Sequence, residues 1–222
     1  MRYLKHLYFT AAVIIFAVFA FQRWDGPSRQ LFPYLLAVEG GIPNAVSVVY
    51  LKTRLYDTLF EVMVFSTSIS GALYFLHNKS RFKLGEYLRV DAATAIMFRG
   101  AAFLSMIFGS ALAFAGHLSP GGGFAAGVAL GTSLVIQSLI KADNGVLLLL
   151  TAERAEVLEK STWLLILLVS IVSLSLSLPI CWKWGSLFSG GWIPVLNVLI
   201  ALKVGLGTWA IALGFLGHRW IF

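Results

Sequence analysis

The chain has 222 residues, of which 59% are hydrophobic and only 12% charged, with a formal net charge of +7 and a mean hydropathy of +0.84. Soluble domains carry roughly twice that share of charge, so 17 Lys and Arg with 10 Asp and Glu cannot wet a surface of this size, and a free-standing soluble domain is excluded. The basic residues lie beside apolar stretches rather than in a patch, which argues against nucleic acid as a partner and for the lipid bilayer. In lipid, only helices or closed barrels satisfy the backbone. The apolar stretches here are about 20 residues long and do not alternate, which predicts an all-α integral membrane protein. The single cysteine, Cys181, excludes an internal disulfide and a CxxC cluster.

Six transmembrane helices are predicted, in chain order Tyr3–Gln22, Leu55–Leu76, Ala92–Gly116, Phe124–Ile140, Thr162–Trp182 and Val195–Gly217. At about 1.5 Å per residue, 20 residues cover roughly the 30 Å of hydrocarbon. The basic start Met1–His6 and apolar run Leu7–Phe21 imitate a signal peptide and are read as an anchor that stays in the membrane. A long Pro- and Gly-bearing segment, Arg23–Asn44, follows on the predicted outer side. The basic segment Asn78–Arg89 lies inside and marks the junction between a two-helix segment, residues 1–84, and a four-helix segment, residues 85–222. Asp143–Lys160 holds the helix-forming run Thr151–Lys160. Its charges Glu153, Arg154, Glu156, Glu159 and Lys160 read as the solvated face of a surface helix.

Charge distribution sets the orientation. With the N-terminus inside, the inner segments hold Arg2, Lys5, Lys79, Arg81, Lys83, Arg89, Lys141, Arg154, Lys160 and Arg219, and the outer ones only Arg23, Arg29 and Lys183. Both termini are therefore predicted to be cytoplasmic, in a multi-pass protein of a cell membrane. Trp24, Trp182, Trp184, Trp192 and Trp220 fall at span ends, where interfacial aromatic belts form.

Charges inside apolar spans cost roughly 2.5–3.5 kcal/mol each to insert and must face protein or water. Arg54, Asp57 and Glu61 fall at helical spacing on one face, with Glu61 roughly 9 Å along the span. A carboxyl group there can exchange protons or bind a cation, or can form a structural ion pair. Lys203, mid-span beside Gly205 and Gly207, is expected at a depth similar to Glu61, either as a switchable charge or as the neutraliser of a neighbouring carboxylate. Arg99 stays protonated, so it is expected in a structural pair, at an interface, or snorkelling to the inner surface. The uncharged loop Gly116-His117-Leu-Ser-Pro120-Gly121-Gly122-Gly123 cannot continue a helix. It is expected near the outer face, with His117 either titrating or interfacial. No phosphate-binding loop, zinc-protease motif or nucleophile elbow occurs.

The run Gly116-His-Leu-Ser-Pro-Gly-Gly-Gly-Phe-Ala-Ala-Gly127 resembles the GHxxPGGGFxxG pattern of the MnhB/MrpB family, the B subunits of multisubunit Na+/H+ antiporters. Leu84–Phe222 fits that family's four-helix length, and Asn197, Lys203 and Gly205 lie in a stretch similar to its last helix. Pro43-Asn44-Ala-Val-Ser-Val-Val with Arg54-Leu-Tyr-Asp57-Thr-Leu-Phe-Glu61 is similar to the C-terminal end of the antiporter A subunit. That piece is a small separate subunit in membrane-bound hydrogenases and sulfane reductases. The pattern there is near PNxVxxxxxDxRGxDTLGE. The chain departs from it at Lys52, Leu55 and Phe60, which leaves Glu61 a firmer carry-over than Asp57.

The resemblance implies a fusion of two neighbouring antiporter-module subunits. It implies a non-catalytic transport subunit contributing to a sodium or proton path through Glu61, Lys203, His117 and Asp57. It further implies no cofactor on this chain, Na+ and H+ as the transported ions, and other antiporter-module membrane subunits as partners. Where the host is a redox complex, iron–sulfur clusters would sit on other chains. The competing expectation is a structural adaptor that docks antiporter-like subunits and has no path of its own.

Overall fold

The computed structural model describes residues 42–77, 91–140, 152–175 and 189–217, together with helical backbone at Val13 and Ala17. The first expected span, most of the Arg23–Asn44 segment, the basic Asn78–Arg89 segment with its module junction, and Trp24, Trp182, Trp184 and Trp220 lie outside the described residues. Every regular element among the described residues is helical, with no strand.

The described chain opens with a short helix α1, Ala45–Val48, which runs into a π-helical turn, Val49–Thr53. Asn44 caps α1, its Oδ1 accepting from Val46 N at 3.1 Å and Ser47 N at 3.4 Å. Thr58 Oγ1 donates to Tyr50 O at 2.7 Å and so ties the wide turn to the helix that follows. That helix is α2, Leu55–His77, followed by α3, Ala92–Ala115, α4, Gly123–Leu139, α5, Ala152–Ser175, and α6, Ile193–Gly217. Asp91 caps α3 through Thr94 N at 3.3 Å and the Thr94 hydroxyl, and these bonds hold its carboxyl below the usual carboxylate range.

Leu55–Phe75, Ala92–Ala115 and Ile193–Ala212 are each long and apolar enough to cross a membrane, and Gly123–Leu139 is a shorter apolar helix. The fifth expected span differs from its forecast. The surface-helix run and the apolar stretch after it form one continuous helix, Ala152–Ser175. The run Ala152–Lys160 contains only strong helix formers and ordinary ones, and nothing between it and Thr162 breaks the pattern.

α6 is the hub. Half of its apolar window is buried inside the chain, against 11% for α3. Lipid tails are as apolar as leucine, so burial alone does not drive helices together in a bilayer; close packing and hydrogen bonds must. α4 supplies both. Gly123, Gly127 and Gly131 line the stripe that faces α6, and a Cβ on Gly127 would lie 2.5 Å from Val204 Cβ and 2.8 Å from Ala201 O. The order of contacts, Gly123 to Ile200, Gly127 to Val204 and Gly131 to Thr208, runs α4 and α6 in parallel. α3 crosses antiparallel to α4, held by Ser105 Oγ donating to Ala129 O and Ser133 Oγ to Ala102 O, both at 2.7 Å. A larger cluster joins the α1 region, α2, α5 and α6 around Leu51, Leu55, Val62, Ile166, Leu196 and Val204. By contrast α3 leaves Met97, Phe103, Leu104 and Phe108 exposed, a face that suits lipid or another subunit but not water.

Candidate functional site

The glycine loop is where the α1 region packs against the turn between α3 and α4. Gly116–Gly122 turns from α3 into α4. Gly122 has φ 152°, and a Cβ there would lie 2.5 Å from Tyr50 Oη, so both its conformation and its neighbour demand glycine. The PN pair noticed in the sequence supplies the other side. Asn44 Nδ2 donates to Gly116 O at 2.8 Å and to Ser119 O at 2.7 Å, and Asn44 N donates to His117 O at 3.2 Å. Ser47 Oγ donates to Gly116 O at 2.7 Å, and Tyr50 Oη lies 3.4 Å from Gly121 O as its donor. Burial pushes the Tyr50 phenol up, which keeps it a donor. From below, Asn197 of α6 accepts Gly123 N at 3.1 Å through Oδ1. Its Nδ2 is buried with no hydrogen-bond partner among the described residues.

The His117 side chain is fully buried within the chain, in the loop between α3 and α4. Pro120 and Gly121 stand exposed at the loop tip, whereas Gly122 and Gly123 are packed beneath it.

Lys203 is 1% exposed, as its mid-span position requires, but its partner is not Glu61. Its Nζ donates to the Glu159 carboxylate and, at 3.1 Å, to the Glu159 backbone carbonyl. The buried pair thus bridges α6 and α5. Glu159 is 8% exposed, which overturns its assignment to a solvated face. Extending α5 back through the charged run turns Glu159, Thr162, Ile166 and Ser170 onto one buried face. That spacing of three, seven and eleven was present in the sequence, but the supposed break before Thr162 hid it.

The α2 cluster behaves differently. Arg54 and Asp57 pair with each other, Arg54 Nε donating to Asp57 Oδ2 at 2.6 Å, and both are largely exposed. Glu61 is exposed on this chain's surface and forms no ion pair among the described residues. Arg99 is likewise exposed, at the edge of a groove between α3 and α4. The structure therefore brings Lys203 to Glu159, and Asn44 and Asn197 to the loop around His117, but it does not join Glu61 to Lys203. Among the described residues no group of three His, Cys, Asp or Glu side chains is placed to hold a metal ion.

Comparison with known proteins adds to this geometry. A family model described as a domain related to the MnhB subunit of Na+/H+ antiporter matches residues 93–210, which takes in α3, the glycine loop, α4 and most of α6. No curated protein matches the sequence. Among solved structures, a chain in the structure of the membrane-bound sulfane sulfur reductase, an archaeal respiratory membrane complex, has a similar fold, with a TM-score of 0.66 at 24% identity over 97% of each chain.

Proposed function

This chain belongs to the family of domains related to the MnhB subunit of Na+/H+ antiporters, and from that membership we propose that it is a non-catalytic membrane subunit contributing to a sodium or proton path in an Mrp-type module. The observation that carries the reading is the Lys203–Glu159 pair. It joins an ammonium and a carboxylate buried inside the helix bundle. A buried ion pair is a poor stabiliser, since apolar residues of similar volume often hold a core equally well. Its presence in a span therefore points to ion chemistry. Only two of the three Lys203 N–H groups are engaged among the described residues, which leaves one to donate to a water or to a passing group. Glu61, exposed on this chain within a span, is the second element, and lipid is no partner for a carboxylate. It belongs where another subunit or a water-filled seam covers it.

In this reading the chain spans a prokaryotic plasma membrane six times with both termini cytoplasmic. It is a fusion of an A-subunit-like end, residues 1–84, and an MnhB-like domain, residues 85–222. It carries no cofactor of its own, moves Na+ or H+, and sits among other antiporter-module subunits. The fold shared with a chain of an archaeal respiratory membrane complex supports a host of that kind; a free-standing antiporter is the alternative host, and in a redox host iron–sulfur clusters would sit on other chains.

Exchange in vesicles holding the complete complex tests this. Glu61→Gln, and the paired replacement Glu159→Leu with Lys203→Met, are each expected to cut Na+/H+ exchange to under about a tenth of wild type, with all subunits still present in equal amounts. Unchanged exchange in both variants removes the ion path. Dissociation of the complex in both favours the adaptor, a reading that draws on the mutual satisfaction of Lys203 and Glu159 within one chain.

A further inference from the structure

We propose that the groove between α3 and α4 walled by Arg99, Phe103, Met106 and Gln137 binds an anionic phospholipid, with its phosphate at Arg99 and Gln137 and an acyl chain along Phe103 and Met106. The proposal relies on α3 and α4 lying in the bilayer and on nothing about ion movement, so it stands or falls apart from the path described above.

The groove has a volume of about 340 Å³ and opens on the outer surface of the chain. Its lining is graded. Arg99 lies seven residues past the start of α3, and Gln137 two residues before the end of the antiparallel α4, so both polar groups belong to the same end of the helix pair. At about 1.5 Å per residue, Arg99 is roughly 10 Å along α3, and its long side chain can bring the guanidinium back toward the headgroups. Phe103 and Met106 lie one and two turns deeper and are 64% and 49% exposed, so the apolar wall begins where acyl chains begin.

The polar end is built and charged. Gln137 Nε2 donates to Ser133 Oγ at 3.1 Å, and Ser133 Oγ in turn donates to Ala102 O at 2.7 Å. This relay fixes the Gln137 amide against α3 and leaves its second N–H for an acceptor. Arg99 forms no ion pair among the described residues, so its fork of donors is open to a phosphate. In sequence Lys79, Arg81, Lys83 and Arg89 precede α3 and Lys141 follows α4. An exposed basic side chain beside an apolar groove, as Arg99 is here, suits an anionic headgroup. A carboxylate on a partner helix would also suit Arg99, but it would leave the exposed Phe103–Met106 wall, which continues the apolar face of α3, without an occupant of matching shape.

Native mass spectrometry of the intact complex in mild detergent tests the site, with phosphatidylglycerol added as the probe and phosphatidylethanolamine as the zwitterionic control. One phosphatidylglycerol per copy is expected to survive activation in wild type. Arg99→Gln should weaken its retention about fivefold, Arg99→Lys should keep it, and phosphatidylethanolamine should not change. Gln137→Leu, which leaves the charge intact, should weaken retention about threefold and serves if Arg99→Gln does not assemble. Equal retention in wild type, Arg99→Gln and Gln137→Leu overturns the proposal. So does a structure of the whole complex in which a partner's carboxylate fills the groove.

Discussion

One side-chain amide ties the start of α1 to the glycine loop. Asn44 accepts two backbone N–H groups of α1 through Oδ1 and donates both Nδ2 hydrogens to carbonyls of the glycine loop, so its full hydrogen-bonding capacity is used. Asn44→Ala removes the cap and leaves Ser119 O without its donor, a loss of about 2–3 kcal/mol. Asn44→Asp keeps the cap but sets a carboxylate against two carbonyls. Thermal unfolding should therefore show both variants destabilised, with the aspartate no better than the alanine. Wild-type stability in Asn44→Asp would mean that the cap alone matters. Residue by residue, the sequence is legible where charge and depth decide. Lys203, in the middle of an apolar span, sits in the interior. The sequence does not reveal its partner. Glu159 stands among four other charges between Glu153 and Lys160, and only its register on α5 separates it from them. For Glu61, spacing along the helix gives a depth but says nothing about which neighbour its face will meet.

Among the elements, α4 carries most of the packing logic. Its glycines at positions 123, 127 and 131 let α6 approach to backbone contact, and the serines of α3 and α4 stitch the opposite side. Gly127→Leu would drive a side chain into Val204 and the Ala201 carbonyl, and overpacking of this kind costs about 1–3 kcal/mol or more. The variant should fail to yield assembled complex on gel filtration, whereas Gly100→Leu, with nothing within 4 Å, should assemble as wild type does. Equal assembly of both would show that the α4–α6 seam is looser than described. Four-residue glycine spacing is a readable signal, yet Gly123 also ends the loop's Pro-Gly-Gly-Gly run, and that turn chemistry masks its place at the head of the stripe. The single helix Ala152–Ser175 is obscured for a related reason, since a charged run imitates the end of a span when it marks only a change in what the helix faces.

For the molecule as a whole, hydropathy forecasts the class of fold, because lipid leaves the backbone few choices. It does not forecast the hub, since α6 and α3 are comparably apolar and differ in what surrounds them. That hub gathers the glycine seam, the loop held by Asn197 and the buried charge pair into one helix. The central claim is that this pair exists for ion movement and not for cohesion. The most direct measurement replaces both charges at once, Glu159→Leu with Lys203→Met, in the complete complex reconstituted into vesicles. Apolar replacement of a buried pair is close to neutral for stability, so the double variant should assemble and melt like wild type. Its Na+/H+ exchange should fall to under about a tenth of the wild-type rate. Full exchange from that assembled, charge-free variant would contradict the account.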